Sequence, residues 1–287
     1  MSSNLVFDLP TKLNKNNLHY FIERIRNEKP TSVLFDWSEC SDADNIALCL
    51  FINLSYECKQ NNAKIRHTSH EKNQYYRLSI FPFISSTVNL LGVQESDLGV
   101  FIASVDKAEA ILSRVMSMQK YLRSLSPLDG LNINPLETIF SELYMNICQH
   151  SCSNGIVLVT IEPENNIIEM IISDIGVGIP INIKESFSEY GDKSDAEAIL
   201  YATEDLVTTK SIEQNYGRGL STLRTSVISL KGFAAIFSGN GGLLIDEHGI
   251  LFESYDQYQN GTQIQIRIDF CNFESQVNSD FTEDITF

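Results

Sequence analysis

The chain has no long apolar run. Its longest, 46-IALCLFI-52, is seven residues, far short of the ~20 that a bilayer-spanning helix needs. The first ten residues, MSSNLVFDLP, lack the basic start and apolar stretch of a secretory leader, so the cytoplasm is the expected compartment. None of the six cysteines (Cys40, Cys49, Cys58, Cys148, Cys152, Cys271) forms a C-x-x-C pair, and several sit inside apolar patterns. They read as reduced, mostly buried thiols and not as a disulfide framework. Cys148, His150 and Cys152 are close in sequence, but Cys148 and His150 are two positions apart on an expected helix and point about 200° apart, which argues against shared metal ligation. Positive charge is scarce as well, with 21 Lys/Arg against 37 Asp/Glu and a net charge of −16. The deficit is uneven: residues 1–110 hold 11 basic and 13 acidic side chains, residues 111–287 hold 10 and 24. Such a surface repels duplex nucleic acid, so a general DNA- or RNA-binding role is not expected. Internal repeats and low-complexity tracts are absent too.

Apolar content, by contrast, is ample. Over 287 residues 43% are hydrophobic, enough for one large or two medium globular domains. The N-terminal third alternates a helix near 14–27, a strand at 32–36, a helix at about 43–61 and a strand at 63–67, a βαβ rhythm that predicts a small sheet with helices packed on it. An amphipathic helix follows at 106–125, and 126-SPLDGLNIN-134, with its Pro and Gly, is the expected hinge between domains. Leu136, Ile139, Phe140, Leu143 and Ile147 recur at helical spacing, which predicts a core-facing helix over 135–150 with Asn134 as its N-cap and Pro135 as its first residue. Strands are expected at 155–162 and 167–174. A polar region of about 35 residues leads to a helix at 219–232, and strand-like pieces at 233–239, 242–246, 250–254 and 263–269 close the domain. The acidic end 274-ESQVNSDFTEDITF-287 reads as a loosely ordered tail.

The helix at 135–150 also carries Glu142, Asn146 and His150, each four residues after the last. At ~100° per residue they form one polar stripe about a quarter turn from the apolar one, at the rim of the core, where a pocket wall would lie. In 174-DIGVGIP-180, Asp174 ends a strand, and Gly176 and Gly178 follow at alternate positions. Glycines there let the backbone approach a planar ligand, and the Asp can accept from an exocyclic amine; a plain turn is the competing reading. In 215-NYGRGLSTLR-224, Gly217 and Gly219 open a helix, whose free N–H groups suit a phosphate chain; a glycine-rich turn is again the alternative. In 260-NGTQIQIRID-269, Gly261 and Thr262 start a late strand, by itself a β-turn signal.

Taken in order, E-x3-N-x3-H on a helix, D-x-G-x-G after a strand, a polar stretch, G-x-G-L opening a helix and G-T on a strand resemble the GHKL nucleotide-binding domain. That superfamily includes gyrase, the heat-shock chaperone ATPases, histidine kinases and mismatch-repair clamps, and the resemblance covers about residues 105–270. It implies an α/β fold, a two-layer sandwich of the Bergerat type, with ATP and Mg²⁺ as ligands. Asn146 would then bind Mg²⁺ bridging the phosphates. Asp174 would hold the adenine amine, with Thr262 in the same hydrogen-bond network and Gly176 and Gly178 flanking the base. Residues near 184–216 would form a mobile ATP lid, and Gly217, Arg218, Gly219 and Leu220 would cradle the phosphates. Glu142 is the implied catalytic carboxylate, activating water or an acceptor hydroxyl for in-line attack on the γ-phosphate. His150 would contact a phosphate, or else cap or pack the helix end.

A histidine kinase carries its phosphoacceptor His on a dimerising helix just upstream. The helix at 106–125 contains no His, and 17-NLHYFIER-24 lacks the acceptor pattern, which argues against autophosphorylation on His. Glu142 paired with Asn146 is more similar to the anti-sigma-factor serine kinases or the true ATPases. Upstream, 33-VLFDWSECSDADNIALCLFINL-54 is similar to a STAS (anti-sigma-factor antagonist) domain. Asp44 is followed there by Asn45 and Ile46, where that family carries a phosphorylatable serine, so the resemblance implies a docking module; an unrelated small α/β domain is the alternative. The expected organisation is a STAS-like domain at 1–104, a GHKL domain at 105–270 and an acidic tail at 271–287. The expected function is that of a bacterial regulatory ATPase whose hydrolysis switches a lid and the binding of a regulatory or effector protein. The alternatives are a serine/threonine kinase acting on a separate STAS-like partner and a nucleotide-sensing module without turnover. Neither nucleic acid nor a membrane is an expected partner, and a homodimer is compatible with this reading.

Overall fold

The computed structural model describes residues 4–68, 93–95, 98–103, 108–151, 155–205, 207 and 219–274. Alternating burial sets the first strand, β1 (Asn4–Asp8), with Leu5 and Phe7 inward. A short β2 (Lys12–Leu13) and helix α1 (Lys15–Glu28) lead to β3 (Ser32–Asp36), and β4 (Asp42–Ala43) and helix α2 (Asn45–Gln60) lead to β5 (Lys64–His67). Strands β1, β3 and β5 pair in parallel with β3 in the centre, an arrangement that needs crossover helices. Asn14 and Asn17 form a capping box at α1, and Asp44 Oδ1 accepts the Ala47 N–H at 2.7 Å to cap α2. Phe51 of α2 anchors this core edge-on against Phe35 (4.6 Å between ring centroids) and Trp37 (5.0 Å).

A second, six-stranded antiparallel sheet contains β6 (Val93–Glu95), β7 (Leu98–Ala103), β8 (Gly155–Glu162), β9 (Ile167–Asp174), β10 (Phe233–Asp246) and β11 (Gly249–Asp269), in the order β10-β11-β9-β8-β7-β6. Pairs from Leu98↔Thr160 to Ala103↔Gly155 join β7 to β8, so this sheet draws strands from both sides of residue 104. Strands β8 and β9 are buried along nearly their whole length because both faces of the sheet are covered. On one face Val157, Val159, Met170, Ile172, Ile264 and Ile266 meet the helices α3 (Ala108–Ser124) and α4 (Asn134–His150). On the other face Ile156, Leu158 and Ile171 join the N-terminal core through α2. Polar ties reinforce that contact: the Asn45 amide donates to the Glu169 carboxylate and to Thr160 Oγ1, and Asn53 Nδ2 donates to Ser173 Oγ at 2.8 Å. Helix α2 thus lies between the two sheets.

Several expectations change. The stretch 126–134 is not a hinge: Leu125, Leu128 and Ile133 are buried in the same core as α3 and α4, so its Pro and Gly turn the chain between two packed helices. Helix α4 starts at Asn134 with buried Ile133 in the cap position, not Asn134. The ordered chain runs past 270, since Phe273 is buried and the Asn132 N–H donates to the Glu274 carbonyl at 2.7 Å; residues 275–287 lie outside the described residues. The first part of the stretch expected as a lid, 184–216, contains the end of α5 (Ile179–Ser186), a 3₁₀ turn (Ser188–Tyr190) and α6 (Asp195–Ala202), and residues 206 and 208–216 lie outside the described residues. A Ser194–Glu197 capping box and a Tyr190–Tyr201 stack (4.0 Å) hold these pieces. A further helix, α7 (Gly219–Ser229), packs on α4. Among the described residues no helix is long and apolar enough to cross a membrane.

Candidate functional site

Asp174 is the last residue of β9, where the chain leaves the sheet. Its Oδ1 accepts the Gly176 N–H at 2.8 Å, and the Thr262 backbone N–H also donates to the carboxylate. Burial raises the carboxyl to about 6, against the pull of those two donors. Glycine is needed on both sides. Gly261 has φ +71°, and a Cβ there would stand 2.2 Å from the Asp174 carbonyl oxygen; a Cβ on Gly176 would stand 1.9 Å from the Ser151 carbonyl. Gly178 sits at the N-cap of α5. Asp174, Gly176, Gly178, Gly261 and Thr262, drawn from two distant stretches of sequence, therefore meet at one point.

Helix α4 ends at the same point. The Ser151 carbonyl beside Gly176 accepts the Val177 N–H at 3.2 Å. Asn146 and Glu142 lie five and nine residues before Ser151 on the helix side, about 7.5 and 13.5 Å back along its axis. Both are half-buried, at the rim position expected for the polar stripe. His150 is the last residue of α4, and its side chain lies outside the described residues. Gly219 is the first residue of α7, and Leu220 is half-buried against the core; Gly217 and Arg218 lie outside the described residues. Glu142 and Asn146 offer hard oxygen donors of the kind Mg²⁺ prefers. No group of three or more His, Cys, Asp or Glu side chains suited to a metal occurs among the described residues.

Two residues at the site carried no recognisable sequence signal. Ser238 of β10 donates to the Gly261 carbonyl (2.7 Å), accepts the Ile179 N–H (3.0 Å) and lies 3.3 Å from Thr262 Oγ1. It ties the start of α5 to the turn at Gly261, and it is why the Thr262 hydroxyl faces Ser238 while its N–H serves Asp174. Asp195 at the start of α6 pairs with Lys184 (2.6 Å) and accepts the Asn240 N–H (2.8 Å), pinning α6 to β10. A separate cavity of about 580 Å³ lies between α1, α2 and the β10–β11 hairpin, and of the loop after Asp174 only Ile175 reaches it. The Asp174 cluster is the stronger candidate for chemistry: it gathers a buried, perturbed carboxylate, whereas the cavity wall pairs its Arg26 with Glu57 internally. No protein-family model matches the chain, and no curated protein matches it. Fold and site together define an α/β protein whose two larger sheets share one helix, and a carboxylate-centred site at the end of a strand.

Proposed function

We propose that the second sheet and its helices form a GHKL-type nucleotide-binding domain of Bergerat architecture, and that the chain is a regulatory ATPase. The observation that carries this reading is the buried Asp174 carboxylate, held by the Gly176 and Thr262 N–H groups beside the end of the helix that bears Asn146 and Glu142. A carboxylate at a strand end can accept the exocyclic amine of adenine. The phosphates would then lie towards the face of α4 that bears Asn146 and Glu142. Asn146 would hold Mg²⁺, which would supply neutralisation of phosphate charge there. Gly219 and Leu220, at the start of α7, would cradle the phosphates together with Gly217 and Arg218, which lie outside the described residues. Glu142 takes a proton from a water as its oxygen bonds to the γ-phosphorus; the bond to the β-phosphate oxygen breaks and ADP leaves. The first sheet, STAS-like in this reading, is held by α2 and supplies no phosphorylatable hydroxyl after Asp44, where Asn45 and Ile46 stand.

The test is γ-labelled ATP incubated with wild type and Glu142→Ala, resolving free phosphate from phosphoprotein. Phosphate release that Glu142→Ala reduces by about 10²–10⁴-fold, with ATP binding retained, is the expected result. Label transferred to an added STAS-like protein would make the chain a serine/threonine kinase instead. Tight ATP binding with neither outcome would make it a nucleotide sensor.

A further inference from the structure

Strand β11 is 21 residues long, yet β9 pairs only with its last part, Gln263–Asp269. Gly249–Ser254 and Gln259 are paired with β10 on one side, with a bulge between them, and among the described residues no strand pairs with the other side. An open edge is a template for another strand, and proteins usually blunt one with lysine, proline or a short length. The edge 249-GILFESYDQYQN-260 has no Lys, Arg or Pro, and its regular part, Gly249–Ser254, runs roughly 20 Å before the bulge. Its side chains are presented outwards: Leu251 is 62% exposed, Phe252 46% and Tyr258 42%.

The edge also overlooks a groove. The cavity of about 580 Å³ is walled by Ile22, Leu50 and Leu54 of α1 and α2 and by Tyr255 and Tyr258 of β11, and Ile175 closes its inner end. Since Ile175 is where the chain leaves β9, a strand added to β11 would continue the line of β9, with alternate side chains entering the cavity. Charge decides which strand. Residues 241–262 contain Asp246, Glu247, Glu253 and Asp256 and no Lys or Arg. Arg26 is committed to Glu57 through three hydrogen bonds of 2.8, 3.1 and 2.7 Å. A second copy paired along the same edge would bring Glu253 and Asp256 near their own counterparts, and like charges across strands repel.

We infer that the open edge of β11, with the groove against α1 and α2, docks an extended segment of a partner protein in which basic and apolar residues alternate. Backbone hydrogen bonds supply affinity and the cavity selects side chains. The inference is independent of the nucleotide reading. It is tested on the full chain with a labelled decapeptide of alternating Val and Lys, the same peptide N-methylated at alternate residues, and a Val/Glu counterpart. The expected result is binding at least tenfold weaker for the N-methylated and Val/Glu peptides, with the Val/Lys preference reversed by the double variant Glu253→Lys, Asp256→Lys. Both substitutions are at exposed positions, and an unchanged melting curve verifies that the variant folds. The inference is overturned if the N-methylated peptide binds as tightly as its parent, if charge reversal leaves the order of affinities unchanged, or if the free chain sediments as a dimer that excludes the peptide.

Discussion

Asp174 sets a binding role against stability within one side chain. Its carboxyl titrates near 6 in the folded protein against 3.8 when unperturbed. Between those values the folded state holds a proton that the unfolded chain has released, so stability falls as pH rises from about 4 to 6 and is level above. The cost at neutral pH is on the order of 2–3 kcal/mol. Asp174→Asn keeps an oxygen for the Gly176 and Thr262 N–H groups and removes the buried charge. It is expected to raise the unfolding free energy at pH 7 by up to about that amount, to flatten the pH 4–6 slope, and to weaken ATP binding by about 100-fold or more. Urea titrations across pH, paired with calorimetry, check both halves; a variant that loses stability at pH 7 refutes the assignment. Gly176→Ala is expected to fail differently, because its Cβ would meet the Ser151 backbone at 1.9 Å and force Asp174 away from the end of α4. Binding and stability would then fall together, by about 1–3 kcal/mol in stability, measured by the same two methods.

At the scale of elements, α2 explains what the sequence could reveal and what it could not. Strands β8 and β9 were legible residue for residue because GIVLVTIE and IIEMIISD are short apolar runs broken by a polar turn. The apolar run within α2 was equally visible, but nothing in it says what lies against each side; that depends on Asn45 and Asn53 finding Glu169 and Ser173 more than 100 residues away. The hairpin was read as four pieces, 233–239, 242–246, 250–254 and 263–269, whereas they belong to two strands whose register shifts around Gly239. At the site, Asp174, Gly261 and Thr262 were legible only through the order of their motifs, and Ser238 and Asp195 had no pattern to betray them. The α2 contact makes its own prediction. Glu169 is buried, and besides Asn45 it accepts from Gln265 at 2.7 Å. Removing a donor from a buried carboxylate costs about 1–3 kcal/mol, so Asn45→Ala is expected to lower the unfolding free energy by that much. The double variant Asn45→Leu, Glu169→Leu should recover most of it. Denaturant unfolding of the three proteins decides; a single variant as stable as wild type would show that the tie is not felt.

For the molecule as a whole, the shared helix means that the two sheets should not unfold separately. Ile156, Leu158 and Ile171 of the second sheet belong to the same buried cluster as Phe35 of the first, Trp37 just after it and Phe51 of α2. Melting the first sheet alone would expose one face of the second, at about 25 cal/mol per Å² of apolar surface. The chain has a single tryptophan, Trp37, and it is buried in the first sheet's core, remote in sequence from every proposed nucleotide contact. Its emission therefore reports the unfolding of the first part, while any nucleotide binds the second. If unfolding is one cooperative step, ATP at 100 times its dissociation constant adds about 2.7 kcal/mol to the whole. The Trp37 midpoint in urea should then move by the same amount as the far-ultraviolet circular dichroism midpoint. A dichroism shift with Trp37 unmoved would separate the two sheets energetically and make the α2 contact weak. If neither midpoint moves, Asp174 does not bind the base, and the buried carboxylate needs another ligand.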